Sequence, residues 1–341
     1  DKTTEVTCGE CSLDSTCIDC DSFTTNEITG QADNARSVYA VDVDGDGDID
    51  VLSASQVDDK IAWYENDGQA NPTFTAHTIT TSADAAQSVY AVDVDGDGDM
   101  DVLSASWSDN KIAWYENDGA KSFTARTITT SADGAQFVYA IDVDGDGDMD
   151  VLSASQNDNK IRWYENNGGS GSGLGFWFHE ITDQADGAYS VYAADVDGDG
   201  DIDVLSASYN DNKIAWYENN GQANPTFTAH TITTSANGAK SVYAVDVDGD
   251  GHMDVLSASS SDNKIRWYEN DGQVNPTFTA HTITTSANSA NSVYAVDVDG
   301  DGDMDVLSAS SGGNLIRWYE NNGSESFTAH SITTSASAAI S

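Results

Sequence analysis

Residues 93–106 read DVDGDGDMDVLSAS. Aspartate fills positions 1, 3, 5, 7 and 9, glycine fills 4 and 6, and an apolar strand follows at once. Five carboxylates in one nine-residue turn repel one another strongly unless a cation lies among them. Side-chain oxygens at 1, 3, 5 and 9, a backbone carbonyl at 7 and a glycine at 6 form the ligand order of an EF-hand calcium loop. Helical flanks are missing, and position 12 is a serine (Ser53 in the first copy) rather than a bidentate Glu. The loop therefore reads as a calcium-binding connection between two strands.

The stretch recurs six times, from Asp42, Asp93, Asp142, Asp195, Asp246 and Asp297, at spacings of 51, 49, 53, 51 and 51 residues. The candidate metal residues are Asp42, Asp44, Asp46, Asp48 and Asp50; Asp93, Asp95, Asp97, Asp99 and Asp101; Asp142, Asp144, Asp146, Asp148 and Asp150. The later copies add Asp195, Asp197, Asp199, Asp201 and Asp203; Asp246, Asp248, Asp250, His252 and Asp254; Asp297, Asp299, Asp301, Asp303 and Asp305. The fifth copy departs from the pattern only at position 7, where His252 stands; the ligand order predicts this freedom, because that position offers its carbonyl. These loops hold 29 of the chain's 58 acidic residues, and six Ca²⁺, one per repeat, would cancel twelve charges. Magnesium fits less well because it keeps its waters.

Each repeat carries four strand signals in fixed order: an alternating SVYAVDV, then DVLSAS after the acidic loop, then KIAWYEN, then FTAHTITT, with turn residues between. No segment holds a 3.6-residue period, so almost no helix is expected. Four antiparallel strands in about 50 residues, repeated, predict an all-β fold: a six-bladed β-propeller of four-stranded antiparallel blades. Nonapeptide β-helices have too short a period to compete. Trp63, Trp114, Trp163, Trp216, Trp267 and Trp318 recur at one position, each followed by Tyr-Glu-Asn. They are expected to pack between blades rather than to offer sugar-stacking platforms.

The units resemble the FG-GAP/VCBS repeats of calcium-binding β-propellers, the class that includes integrin α-chain propellers and some fungal lectins. The loop DxDGDGxxD followed by an apolar strand carries the resemblance, which extends over residues 23–333; VYA and SAS stand where the literal Phe-Gly and Gly-Ala-Pro elements would be. The resemblance implies a loop between the first and second strands of each blade, and an extracellular, interaction-type role.

The whole chain has 341 residues and a formal charge of −45. Its 8 Trp, 14 Tyr and 9 Phe argue for a packed core against acidic disorder. Only 13 Lys and Arg face the 58 acids, so nucleic acid is not an expected partner. No apolar run approaches the length of a membrane-spanning helix. The chain opens at Asp1 without Met or a signal-like stretch and reads as a mature product. All four cysteines, Cys8, Cys11, Cys17 and Cys20, lie in a short N-terminal segment, residues 1–22, ahead of the propeller at 23–341. Two disulfides are expected over a zinc knot, since no His is near and the gap between the pairs is short; bonds to a neighbouring chain are a third reading.

No nucleophile elbow, phosphate loop or zinc-protease motif occurs, and the chain is expected not to be an enzyme. His77, His230, His281 and His330 share one place in the fourth strand and His179 is near-equivalent, but Arg126 and Asn26 replace them elsewhere; they read as surface residues of an edge strand. The expected role is an extracellular or cell-surface structural or adhesive module, acting through a protein partner or self-association; the alternative is a lectin binding glycans between blades. The irregular insert NNGGSGSGLGFWFHE, from Asn166, carries Phe176, Trp177 and Phe178 and is expected as a longer hairpin in the fourth blade. Asn322-Gly323-Ser324 is an N-glycosylation sequon without Pro.

The fourth-strand signal occurs seven times, the first from Phe23 and the last from Phe327, although six blades have six outer places. Ring closure assigns the first copy to blade six, while chain continuity assigns the last copy to the same place. The surplus copy is expected as a fifth strand or frayed end, as part of a seventh unit, or as a strand added to a neighbouring molecule, which would build a filament.

Overall fold

The computed structural model describes residues 23–169, 175–337 and 339–340. Every described element is a strand. Blade one comprises β1 (Ala35–Val41), β2 (Asp50–Ser55), β3 (Lys60–Asn66) and β4 (Phe74–Thr80), hydrogen-bonded in that order as an antiparallel sheet. Blades two to five follow as β5–β8 (86–129), β9–β12 (135–182), β13–β16 (188–233) and β17–β20 (239–284). Blade six is β21 (Ala290–Val296), β22 (Asp305–Ser310), β23 (Leu315–Asn321) and β24 (Phe327–Thr333). The expected six-bladed propeller of four-stranded blades is what the chain forms. The Cys-rich segment, with the disulfides expected of Cys8, Cys11, Cys17 and Cys20, lies outside the described residues.

The local chemistry explains the strand order. Period-two alternation in β1 sends Tyr39 and Val41 to one face, where they pack on the core shared with blade two. The turn from β2 to β3 ends at Asp59 with φ 54°, and at Asn in the other five blades with φ between 53° and 61°; Asn and Asp tolerate this left-handed geometry better than other side chains. The second strands are covered on both faces, which is why DVLSAS reads as a continuous small and apolar run. Their first serine is paired, with Ser104 Oγ 3.2 Å from the Tyr115 hydroxyl, whereas the hydroxyl of the last, Ser106, is buried without a hydrogen-bond partner.

Hydrophobic cores form between blades rather than within them. Leu52, Ile61 and Trp63 of blade one meet Val89, Ala91 and Tyr115 of blade two, and this combination recurs through blades five and six. Every repeated Trp is buried, at 0–3 % exposure, so the packing reading holds. Trp114→Ala is expected to cost about 3–5 kcal/mol, the range for emptying a large aromatic site; denaturant unfolding with an unchanged slope checks it.

The insert forms the β11–β12 hairpin of blade three, not blade four. Strand pairing joins the strand from Phe176 to β11, in the sheet that carries the third acidic loop. Among the described residues no helix is long and apolar enough to cross a membrane.

Candidate metal centre

Each acidic loop joins the first and second strands of its blade, so all six emerge at the same end of the ring. In the first loop Asp42 closes the turn on itself: Gly45 N and Asp46 N donate to its Oδ1 at 2.8 and 3.2 Å, and Gly47 N donates to Oδ2 at 2.9 Å. Gly47 stands at φ +96°, a region open to glycine, which is why position 6 is never anything else. Asp46 N donates to Asp44 Oδ1 at 3.2 Å and Asp48 N to Asp46 Oδ1 at 2.9 Å, so successive carboxylates turn inward.

Position 9 anchors the loop to the sheet. Asp50, Asp101, Asp150, Asp203, Asp254 and Asp305 are buried, at no more than 1 % exposure. Asp101 accepts from Val94 N at 3.1 Å and from Asn117 N, on the third strand, at 2.7 Å. Burial pushes the Asp101 carboxyl up to about 7, with Asp95 adding to the rise and the two backbone N–H groups opposing it. Burial likewise pushes Asp150 and Asp203 up to about 7 and Asp254 to about 6. Burial beside other carboxylates disfavours the charged form of this carboxyl, and a cation among them would offset that cost.

Position 7 behaves differently. The Asp48 carboxylate turns away to lie over Gly68, where an added Cβ would come within 2.0 Å of Asp48 Oδ2. Its counterpart His252 lies over Gly272 in the same way, at 2.2 Å from Nε2. The side chains of Asp48, Asp99, Asp148, Asp201, His252 and Asp303 therefore share one place beside a turn glycine, consistent with a ligand role for the carbonyl alone.

The carboxylates converge. Ligand oxygens of Asp42, Asp44 and Asp50, and of Asp93, Asp95 and Asp101, lie within 4.8 Å of one another. So do those of Asp142, Asp144 and Asp146; Asp195, Asp197 and Asp199; and Asp246, Asp248 and Asp250. These all-oxygen clusters can hold metal ions, and hard oxygen donors suit a hard divalent cation. Asp97→Ala is expected to remove one bound ion from the total, and His252→Asp to leave the total unchanged; equilibrium dialysis with metal analysis checks both.

Two contributors had no reading in the sequence analysis. The Asn that ends each third strand ties neighbouring loops together: Asn117 Nδ2 donates to Met100 O in its own loop at 3.0 Å and to Val43 O of the preceding blade at 3.3 Å. Asn166, Asn219, Asn270 and Asn321 repeat the bond to the blade before. The Glu beside it supports the outer strand. Glu65 accepts from His77 Nε2 at 2.7 Å, and that imidazole stacks on Trp63 at 4.4 Å between centroids. Lys121 reaches both Glu65, at 2.7 Å, and Asp44, at 2.6 Å. The histidines are thus half-buried parts of a Trp–His–Glu stack, not plain edge residues. The invariance of Glu-Asn after Trp-Tyr was the available signal.

Asn322 is exposed in the β23–β24 turn, with its Oδ1 accepting from Ser324 N at 3.0 Å.

A propeller built from repeats with one acidic, cation-competent loop apiece defines the class. The chain belongs to the FG-GAP-like repeat family, which matches residues 42–104, 93–153, 142–206, 195–257, 246–308 and 297–341. No curated protein matches. Among solved structures, a Lactobacillus plantarum protein superposes with a TM-score of 0.63 at 15 % identity, over 90 % of this chain and 86 % of its own. A candidate 6-phosphogluconolactonase from Bacteroides uniformis gives 0.62 at 12 %, over 94 % and 89 %. The periplasmic gluconolactonase of Pseudomonas aeruginosa gives 0.58 at 12 %, over 86 % and 84 %. These likenesses carry the fold. They also correct the expectation that the chain is not an enzyme: propellers of this shape include proteins named as lactonases, so absence of the common catalytic motifs does not exclude catalysis.

Proposed function

We propose that the chain is an extracellular, calcium-stabilised interaction module, with one Ca²⁺ per acidic loop. The observation that carries this is the repetition of one oxygen-rich loop at the same end of all six blades. Bound ions would fix those loops as a rigid face, and the Asn bonds between neighbouring blades would make the face continuous. Affinities on the order of 10⁻⁴–10⁻³ M suit the extracellular range of calcium. Trp177 and Phe178, 59 % and 63 % exposed on the outer strand of blade three, supply an apolar contact on the rim. The test has two parts. Dialysis against Ca²⁺ should load about six ions per chain, with equimolar Mg²⁺ failing to compete. Binding to a panel of extracellular proteins and glycans should then require calcium and weaken in the Trp177→Ala, Phe178→Ala double variant. Binding indifferent to calcium would sink the reading.

A further inference from the structure

Cations are scarce in this chain, and almost all of them are neutralised. Of its 13 Lys and Arg, all but Lys2 are among the described residues. Nine of these pair with a carboxylate, as Lys60 does with Asp58 and Arg126 with Glu116. Arg36, Lys240 and Arg317 have no such pair. Arg317 lies apart, with its Nη1 donating to Ser286 O at 3.3 Å. Arg36 and Lys240, from blades one and five, line the same cavity of about 50 Å³. All six blades contribute to it, so it sits on the axis of the ring. Among the described residues no Asp or Glu lines it, although the chain has 58 of them.

The cavity lies where the first strand of each blade begins, at the end of the ring opposite the acidic loops. Each of these strands is seven residues long, roughly 23 Å at about 3.3 Å per residue. Charges so far apart are largely screened, since the Debye length is about 8 Å at physiological salt. The repeat breaks at this place. The second residue of the first strand is Arg36, Gln87, Gln136, Tyr189, Lys240 and Asn291 in successive blades, five residue types in six copies. Every other position of that strand keeps one residue in at least four copies. All six of these side chains line the cavity. The position that varies most within the strand is thus the one that faces the axis, where a ligand touching all six blades would meet it.

Both cations are held in place without being neutralised. Arg36 donates from Nε, at 2.8 Å, and from Nη2 to Gln56 Oε1, a neutral amide, which leaves Nη1 without a hydrogen bond among the described residues. Lys240 Nζ donates to Asn291 Oδ1 at 2.7 Å and lies over the Tyr189 ring, 5.3 Å from its centroid. Asn291 is fixed in turn, with Nδ2 donating to Ala339 O at 2.8 Å. Burial, and then the charge of Arg36, hold the Lys240 ammonium below its ordinary range. We propose that this axial cavity is a binding site for a small organic monocarboxylate, held between the Lys240 ammonium and the Arg36 guanidinium. A carboxylate supplies the missing counter-charge and accepts charge-assisted bonds from both groups. One water needs roughly 10–15 Å³ of such a cavity, so the space takes about four water-sized groups, the size of acetate. Phe137 and Ile340, also in the lining, offer apolar contact to its methyl group. The site is separate from the acidic loops and goes beyond the interaction role proposed for them.

Titration of the protein with ¹³C-labelled acetate, followed by NMR in a low-chloride buffer without other carboxylates, tests this. Saturable binding is expected with a Kd on the order of 1 mM, within reach of so small a ligand. Lys240→Met and Arg36→Met should each weaken it about tenfold or more, while Lys240→Arg should keep it within a few-fold. Lys111→Met should change nothing, because that lysine, at the same end of the ring, is already paired with Asp109 at 2.6 Å. Acetamide, which has the shape of acetate without its charge, should not compete. Acetate binding of equal strength in the Lys240→Met, Arg36→Met double variant would overturn the proposal, by placing the anion elsewhere on the surface. If that variant fails to fold, the unaltered protein decides: acetamide competing as well as acetate, or no saturation up to roughly 50 mM acetate, well past the expected Kd, would overturn it equally.

Discussion

Stripping divalent cations at pH 7.5 is expected to lower the Tm by tens of degrees or to unfold the protein outright. The magnitude follows from linkage. An ion bound only by the native state, present at 100 times its dissociation constant, stabilises by about 2.7 kcal/mol. Six independent sites would together exceed the roughly 5–15 kcal/mol by which a domain is ordinarily stable. The structural cause is local. Without an ion, the loops keep oxygens of three aspartates within 4.8 Å of one another, as in Asp42, Asp44 and Asp50, and each loop also buries its position-9 carboxyl. Calorimetry with and without chelator, followed by readdition of Ca²⁺, measures the effect. A Tm that ignores excess chelator would remove the calcium claim, and magnesium should restore only part of the loss.

Much of the fold was legible because the repeat states it six times. Alternation in SVYAVDV and the turn residues after SAS each point to a strand boundary, and six copies leave little room for accident. The clustering of acids in the loop was legible for the same reason, and the one departure, His252, falls where the structure turns the position-7 side chain beside a turn glycine, Gly272. What escaped depends on contacts that no local pattern encodes. Asn117 bonds a carbonyl 74 residues earlier, and nothing in Trp-Tyr-Glu-Asn announces a partner in another blade. Counting outer strands showed a surplus copy but could not say where it lands; the structure sets its Phe23 edge-on against Trp318 of blade six. The exclusion of catalysis failed because motif searches test only familiar solutions. The insert lies between the acidic loops from Asp142 and Asp195, and the pairing of its strand with β11 puts it in blade three rather than blade four.

The pH dependence of stability should change sign with calcium. In the calcium-free protein the carboxyls of Asp101, Asp150 and Asp203 titrate at about 7 and that of Asp254 at about 6, each raised mainly by burial. Unfolded, the same groups titrate near 3.9. Between pH 4 and 7 the native state therefore holds protons that the unfolded state has released, and stability falls as pH rises through that window. Calcium reverses the balance, because it binds the ionised carboxylates and must displace those protons. Its affinity should rise through pH 6–7, with proton release on binding measurable at pH 6. Groups shifted the other way act lower: Glu65 is held below its usual range by Lys121 and His77, so its contribution is lost on acidification below the ordinary carboxylate range. A scan from pH 5 to 7.5 isolates the buried aspartates. The chelated protein should lose Tm across that scan, while the calcium-loaded protein gains or holds it. Asp101→Asn, Asp150→Asn and Asp203→Asn combined should flatten the calcium-free slope and cost three ions. Parallel slopes with and without calcium would show that these buried carboxyls are not where the cation binds.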